Sequence, residues 1–233
     1  MSLKDLFYYI ASFVAVVVVL TLHEFAHAFV AYKCGDSTPK WNKRLTLNPL
    51  RHFDITGLIC FTLVGFGWAK PVPINPNNFK NYRKGLGLTA SAGIIMNFVF
   101  AFLWYPIFCV IANYACARIE NSYMNYFLDM LFYLPCAYSL SFCVFNLLPF
   151  NPLDGFRIVE ACSKNHGKVY QFLYKYGQWI LLFLIAESFI CRVFSQWLGV
   201  YQMDYLNILG WIMKFATGIL GWPITALWGL IPW

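Results

Sequence analysis

The chain has 233 residues, of which 60% are hydrophobic and only 12% charged. An ordinary soluble domain carries about 25% charged residues, so this chain cannot cover a water-facing surface and reads as a membrane protein. Its net charge of +7 does not indicate nucleic acid: nine of the 17 Lys and Arg residues fall between Lys33 and Lys84 and four between Arg157 and Lys175, in the polar gaps between apolar runs, as in basic loops kept on the cytoplasmic face of a membrane.

The first apolar run, from about Leu6 to Tyr32, is long enough to cross about 30 Å of hydrocarbon and is read as a retained span rather than a signal peptide. Its last third holds His23, Glu24 and His27. Residues 33–54 are polar and basic, broken by Pro39, Asn48 and Pro49, and the alternation of Arg44-Leu45-Thr46-Leu47 suggests a short strand. Residues 55–69 are apolar but too short to span, which favours a re-entrant or interfacial segment. A second span is expected over about Leu86–Ala117, a turn over 118–123, and a third span over about Met124–Leu148. The third span ends in Asn146-Leu-Leu-Pro149-Phe-Asn-Pro152-Leu-Asp154-Gly155. A polar, basic segment covers 156–176, and two further apolar runs, about 178–200 and 206–231, are each either a span or partly interfacial.

The eight cysteines form no C-x-x-C pair, which removes zinc-finger and thioredoxin-like readings and leaves them as packing residues. The basic clusters place 33–85 and 156–176 in the cytoplasm and the N-terminus and the 118–123 turn outside. The first and third spans then both run inward, bringing His23, His27 and Asp154 to one membrane depth.

His23-Glu24-Phe25-Ala26-His27 is an H-E-x-x-H motif. On a helix the two histidines lie one turn apart on one face and can share a zinc ion, while Glu24 sits on the flank, placed to take a proton without binding the metal. Ionisable residues inside a span are costly, and three together point to function rather than to a polar helix end. A catalytic zinc needs a third protein ligand. His52 and His166 lie in polar loops; Asp154, after two prolines at matching depth, is the better candidate.

With these motifs on view, the chain resembles the site-2 protease family of intramembrane metalloproteases, in its compact bacterial form. The resemblance rests on H-E-x-x-H in a first core span and Asn146-x-x-Pro149-x-x-Pro152-Leu153-Asp154-Gly155 in a later one. It extends to Phe66-Gly-Trp-Ala-Lys-Pro-Val-Pro-Ile-Asn-Pro76 and to Arg44-Leu-Thr-Leu-Asn-Pro49 with His52 and Asp54. It covers roughly residues 10–160. Where family members often carry Gly-Pro-x-x-Asn, this chain has Gly93-Ile94-Ile95-Met96-Asn97, keeping the Asn but not the Pro. The resemblance implies zinc held by His23, His27 and Asp154, catalysis by Glu24 with help from Asn146, and a substrate contact at Asn97.

The expected protein is therefore an all-α polytopic bundle with three core spans, a re-entrant or short β segment between the first two, and one or two C-terminal spans. It forms one membrane-embedded domain over 1–233, with a catalytic core at 6–155 and accessory helices at 156–233. The expected function is hydrolysis of transmembrane protein substrates in regulated intramembrane proteolysis, by an enzyme of the bacterial cytoplasmic membrane with its site toward the cytoplasm. The rival is a non-catalytic metal-binding scaffold or metal transporter, which would not need Glu24. The expected partners are the lipid bilayer and a transmembrane substrate, with no nucleic acid.

Overall fold

The computed structural model describes residues 2–64, 70–115, 118–196 and 205–231. Among them five helices are long and apolar enough to cross a membrane, and the chain is a multi-pass membrane protein. Helix α1 (Leu3–Lys33) opens on a reciprocal cap, Ser2 Oγ accepting from Asp5 N at 3.2 Å and Asp5 Oδ2 from Ser2 N at 2.6 Å. Its buried stripe includes Ala11, Ala15, Val19, His23, Ala26 and His27, the three-to-four spacing of one helix face. The small residues in that stripe let a neighbouring helix approach closely.

Two short helical pieces follow, α2 (Thr38–Trp41) and a 3-10 turn at Pro49–Arg51, and then α3 (Ile55–Val64). With ten residues α3 is about 15 Å long, half of what a span needs. No described residue lies in a β-strand. Arg44–Leu47, expected as a strand, is loop instead, with bends at Leu45 and Thr46. The alternation there has a different cause: Arg44 turns inward to donate to the carbonyls of Arg51 and Lys70, and His52 Nε2 bonds the Thr46 carbonyl at 2.8 Å. Residues 65–69, the rest of the expected re-entrant piece, lie outside the described residues.

Helix α4 (Tyr82–Val110) starts at Asn81, whose side chain accepts from Lys84 N at 3.0 Å. Near its far end Pro106 has no N–H for the Phe102 carbonyl four residues back. Trp228 Nε1 takes that carbonyl at 2.9 Å, and α4 then loosens into a π turn over Ile111–Ala115. Helix α5 (Ser122–Leu147) follows, with Asn121 as its N-cap. Ser12 and Tyr138 meet at 2.8 Å, Ala11 and Ala15 pack on Leu134, and Ser139 Oγ donates to the Asn97 carbonyl at 2.9 Å. Residue numbers rise together along α1 and α5 but oppose along α4, so α1 and α5 are parallel and α4 runs back between them.

Pro149 and Pro152 interrupt the helix after α5, and α6 (Asp154–Cys162) begins at the ligand-type carboxylate. Gly155 permits this turn: a Cβ there would stand 2.4 Å from the Leu148 carbonyl oxygen. Helix α7 (Lys168–Gln196) starts ten residues before the expected apolar run, because its first turns are polar while its hydrogen bonds are already helical. Helix α8 (Ile208–Trp228) is capped by Asn207, whose side chain accepts from Gly210 N at 2.6 Å, and Glu187 Oε1 of α7 accepts from Ile208 N at 3.0 Å.

Candidate metal centre

One turn of α1 and the first residue of α6 build the centre. His23 Nε2 and His27 Nε2 lie 3.0 Å apart, and Asp154 Oδ2 lies 3.3 Å from the first and 3.0 Å from the second. Both histidines are buried.

The ring tautomers follow from what stands behind them. His27 Nδ1 lies 2.7 Å from the Thr89 carbonyl, which can only accept, so in the neutral ring Nδ1 carries the hydrogen and Nε2 presents a lone pair. His23 Nδ1 faces the Asn97 amide at 3.2 Å, with Asn97 Oδ1 buried and unpartnered. Turning that amide end for end satisfies Oδ1 with His23 Nδ1–H and leaves His23 Nε2 bare as well. Two imidazole lone pairs and a carboxylate oxygen then crowd within 3.3 Å, a repulsive arrangement unless a cation lies among them. Tetrahedral zinc with bonds of about 2.0–2.1 Å sets its ligands about 3.3 Å apart, so this donor set fits zinc.

Gly93 of α4 is the floor of the site. A Cβ there would lie 2.5 Å from both His23 Cε1 and His27 Nε2. The absence of a side chain therefore lets α4 press against the imidazole pair. Helix α4 runs unbroken through Ile94, where the resembling family often has proline.

A cavity of about 160 Å³ opens beside the ligands and is lined also by Glu24, Val72, Asn146 and Arg157. Glu24 does not join the ligand cluster. Its Oε2 accepts from Val72 N at 3.1 Å, leaving Oε1 for another partner. Val72 belongs to a stretch outside helix and strand, 71–75, whose far end, the extended Asn75, is fixed by Asp36. Fully buried just beyond α1, Asp36 accepts from Asn75 N (2.7 Å), Asn78 Nδ2 (2.8 Å), and both Thr38 N (3.0 Å) and Thr38 Oγ1 (2.6 Å). Burial opposes its charge, but these four donors prevail and hold the carboxyl below its ordinary value.

The structure thus brings together His23, Glu24, His27, Asp154 and Asn146. Asn146 spends one amide hydrogen on the Phe142 carbonyl at 3.0 Å and retains another. Asn97, expected at the substrate, stands elsewhere: it is 1% exposed, lies behind His23, and is absent from the cavity wall. Its place is that of a ring-orienting residue. His52 is also fully buried, held in its own loop by Thr46, and does not line the cavity. Asp54 accepts from Gly57 N at 3.0 Å and from Thr56 Oγ1 at the start of α3. Sequence reasoning missed Thr89 and Asp36, and it saw Val72 and Gly93 only as parts of motifs.

No protein-family model and no solved structure matches the chain. A curated protein of Bacillus subtilis (strain 168), named "Putative zinc metalloprotease YwhC", is 40% identical over 147 residues. The chain is a homologue of that protein. The aligned stretch covers 63% of this chain and 66% of the relative, just under two thirds of its length. The relative's name agrees with the zinc-type donor set, and the match is consistent with the site-2 protease-like reading of the motifs.

Proposed function

We propose that the chain is an intramembrane zinc metalloprotease that hydrolyses peptide bonds in or near transmembrane segments of other proteins. The observation that carries this reading is the convergence of His23 and His27 from α1 with Asp154 from α6, beside a Glu24 carboxylate that stays outside the ligand set. His23, His27 and Asp154 would hold the metal. Zinc in that position supplies Lewis acidity to water and to a peptide carbonyl. Glu24 Oε1 takes a proton from the attacking water and passes it to the leaving amine as the peptide C–N bond breaks. Val72 N–H holds the other carboxylate oxygen still through both transfers. The free amide hydrogen of Asn146 is a donor for the carbonyl oxygen as it gains negative charge.

A helix hides its carbonyls in hydrogen bonds, so a transmembrane substrate must unwind to be cut. The 71–75 stretch, which lies outside helix and strand and borders the cavity through Pro71, Val72 and Ile74, is the surface against which an unwound segment lies. The basic clusters favour a metal centre toward the cytoplasm, and the resemblance of the motifs carries the reading of a bacterial membrane and a role in regulated intramembrane proteolysis. A scaffold or metal carrier has no use for a base beside the metal. The test is co-expression with single-span proteins, comparing wild type with Glu24→Gln. Cleavage by wild type only supports the protease; equal processing by both removes it.

A further inference from the structure

The segment between α1 and α3 is turned inside out relative to a water-facing loop. It buries three of its polar side chains, Asp36 and His52 fully and Arg44 at 7% exposed, while Asn42 and Asn48 stay exposed. It presents its large apolar side chains outward, with Leu50 at 83%, Trp41 at 75%, Ile55 at 74% and Leu47 at 56%. On α8, Phe215 and Trp222 are each 70% exposed, so the loop offers apolar surface as freely as a spanning helix does. A loop in water is expected to do the opposite.

Three further observations say what covers this surface. The segment does not project away from the bundle, because α2, the Pro49–Arg51 turn and α3 all pack back against α1. Exposed cations lie among the apolar residues: Lys40, Lys43 and Arg51, with Lys40 also over the Tyr32 ring at 5.3 Å. That mixture of Trp, aliphatic and basic side chains is what the headgroup boundary of an anionic leaflet accommodates. Inside the loop the backbone is also satisfied by its own side chains, Arg44 serving the Arg51 and Lys70 carbonyls and His52 that of Thr46. Non-helical backbone at membrane depth requires such internal pairing.

We propose that residues 41–55 form an interfacial wedge, seated in the headgroup and upper acyl region of the leaflet nearest the metal centre, with Trp41, Leu47, Leu50 and Ile55 in contact with lipid. The loop assigned to water by its basic charge is then an anchor, and the short helix α3 leaves from lipid level rather than descending from solvent. The proposal rests on burial and charge and is independent of the catalytic reading.

Benzoylphenylalanine introduced separately at Trp41, Leu50, Phe215 and Gly167 in the full chain tests it. Each variant is reconstituted in vesicles of phosphatidylethanolamine and phosphatidylglycerol, irradiated and analysed by mass spectrometry. Lipid adducts are expected at 41 and 50 in yields matching the spanning-helix position 215. They should exceed those at the 167 turn by at least about tenfold, the ratio implied by the preference of one apolar side chain for hydrocarbon. Adducts at 215 but not at 41 and 50 overturn the proposal. So does a discrete protein adduct at 50 in native membranes without a lipid adduct in vesicles, since the surface is then a protein-docking face. The substitutions at 41 and 50 exchange one exposed apolar side chain for another, so each variant retains the buried polar interior of the loop.

Discussion

Val72 donates its backbone N–H to Glu24 Oε2 at 3.1 Å, joining the base of an H-E-x-x-H helix to a segment 48 residues away. The bond fixes one oxygen of the carboxylate and leaves the other to work. Glu24→Gln should reduce cleavage by about 10²–10⁴-fold, the usual worth of a positioned general base, while zinc measured by elemental analysis stays at the wild-type level. Val72→Pro, which removes the donor and also replaces a buried side chain and fixes φ, should reduce turnover less and leave metal content unchanged. A purified Glu24→Gln protein with wild-type turnover would rule out the assignment.

His23→Ala, His27→Ala and Asp154→Ala should each lower zinc content together with activity. Of the three, Asp154→Ala is the most informative, because its carboxylate comes from a different helix. If that variant retains a full equivalent of zinc at wild-type affinity, the third ligand lies elsewhere, and His52, buried in its own loop, is not placed to be it.

Gly93→Ala separates helix propensity from site geometry. Alanine favours a helix over glycine by about 1 kcal/mol, so α4 itself should not suffer. The new Cβ would press on His23 and His27 from 2.5 Å. Zinc affinity should fall by about 10–100-fold, as with other disturbances directly behind a ligand ring. Zinc titration against a competing chelator reads this, and an unchanged affinity would show that α4 can retreat.

Asp36 links stability to pH. Its folded carboxyl lies below the ordinary value of 3.8, so the unfolded chain binds the proton more readily. Its contribution is complete above pH 3.8 and is lost as pH falls through the lower folded value. Asp36→Asn should cost about 1–3 kcal/mol at pH 6, because a buried donor loses its acceptor. The gap from wild type should begin to narrow as pH falls below 3.8 and close once pH is below the folded value. Denaturant unfolding in detergent at both pH values measures it; a constant gap would mean that the charge is not what matters.

Single cysteines at Asn77, Ser122 and Lys164, all exposed, test orientation with an impermeant thiol reagent. Asn77 and Lys164 should label only in opened membranes, and Ser122 in intact cells. Labelling of Asn77 and Lys164 on opposite faces would contradict the parallel course of the ligand-bearing helices.

The clustering of His23, His27 and Asp154 was legible in sequence because its signals are local: a four-residue helical spacing for the two histidines, and a proline break ahead of Asp154. The supporting parts were not. Gly93 reaches the histidines only through the packing of α4 on α1, and Asp36 reaches Val72 only through a loop that folds back across the site. Neither contact leaves a periodicity. Arg44–Leu47 misled because polar and apolar residues alternate in sequence as in a strand, while the inward turn of Arg44 serves a loop. Helix α7 was placed late because hydropathy reports where apolar surface begins, whereas its polar opening turns are already hydrogen-bonded as helix.

The parallel course of α1 and α5 imposes a parity rule. Two neighbouring membrane helices can point the same way only if the chain between them crosses an odd number of times, and here α4 alone makes that crossing. A helical hairpin inserted at the 118–121 turn would keep the count odd and leave His27 and Asp154 at one face. A single inserted helix would make it even and carry Asp154 to the far side of the bilayer, with every side chain of the site still encoded.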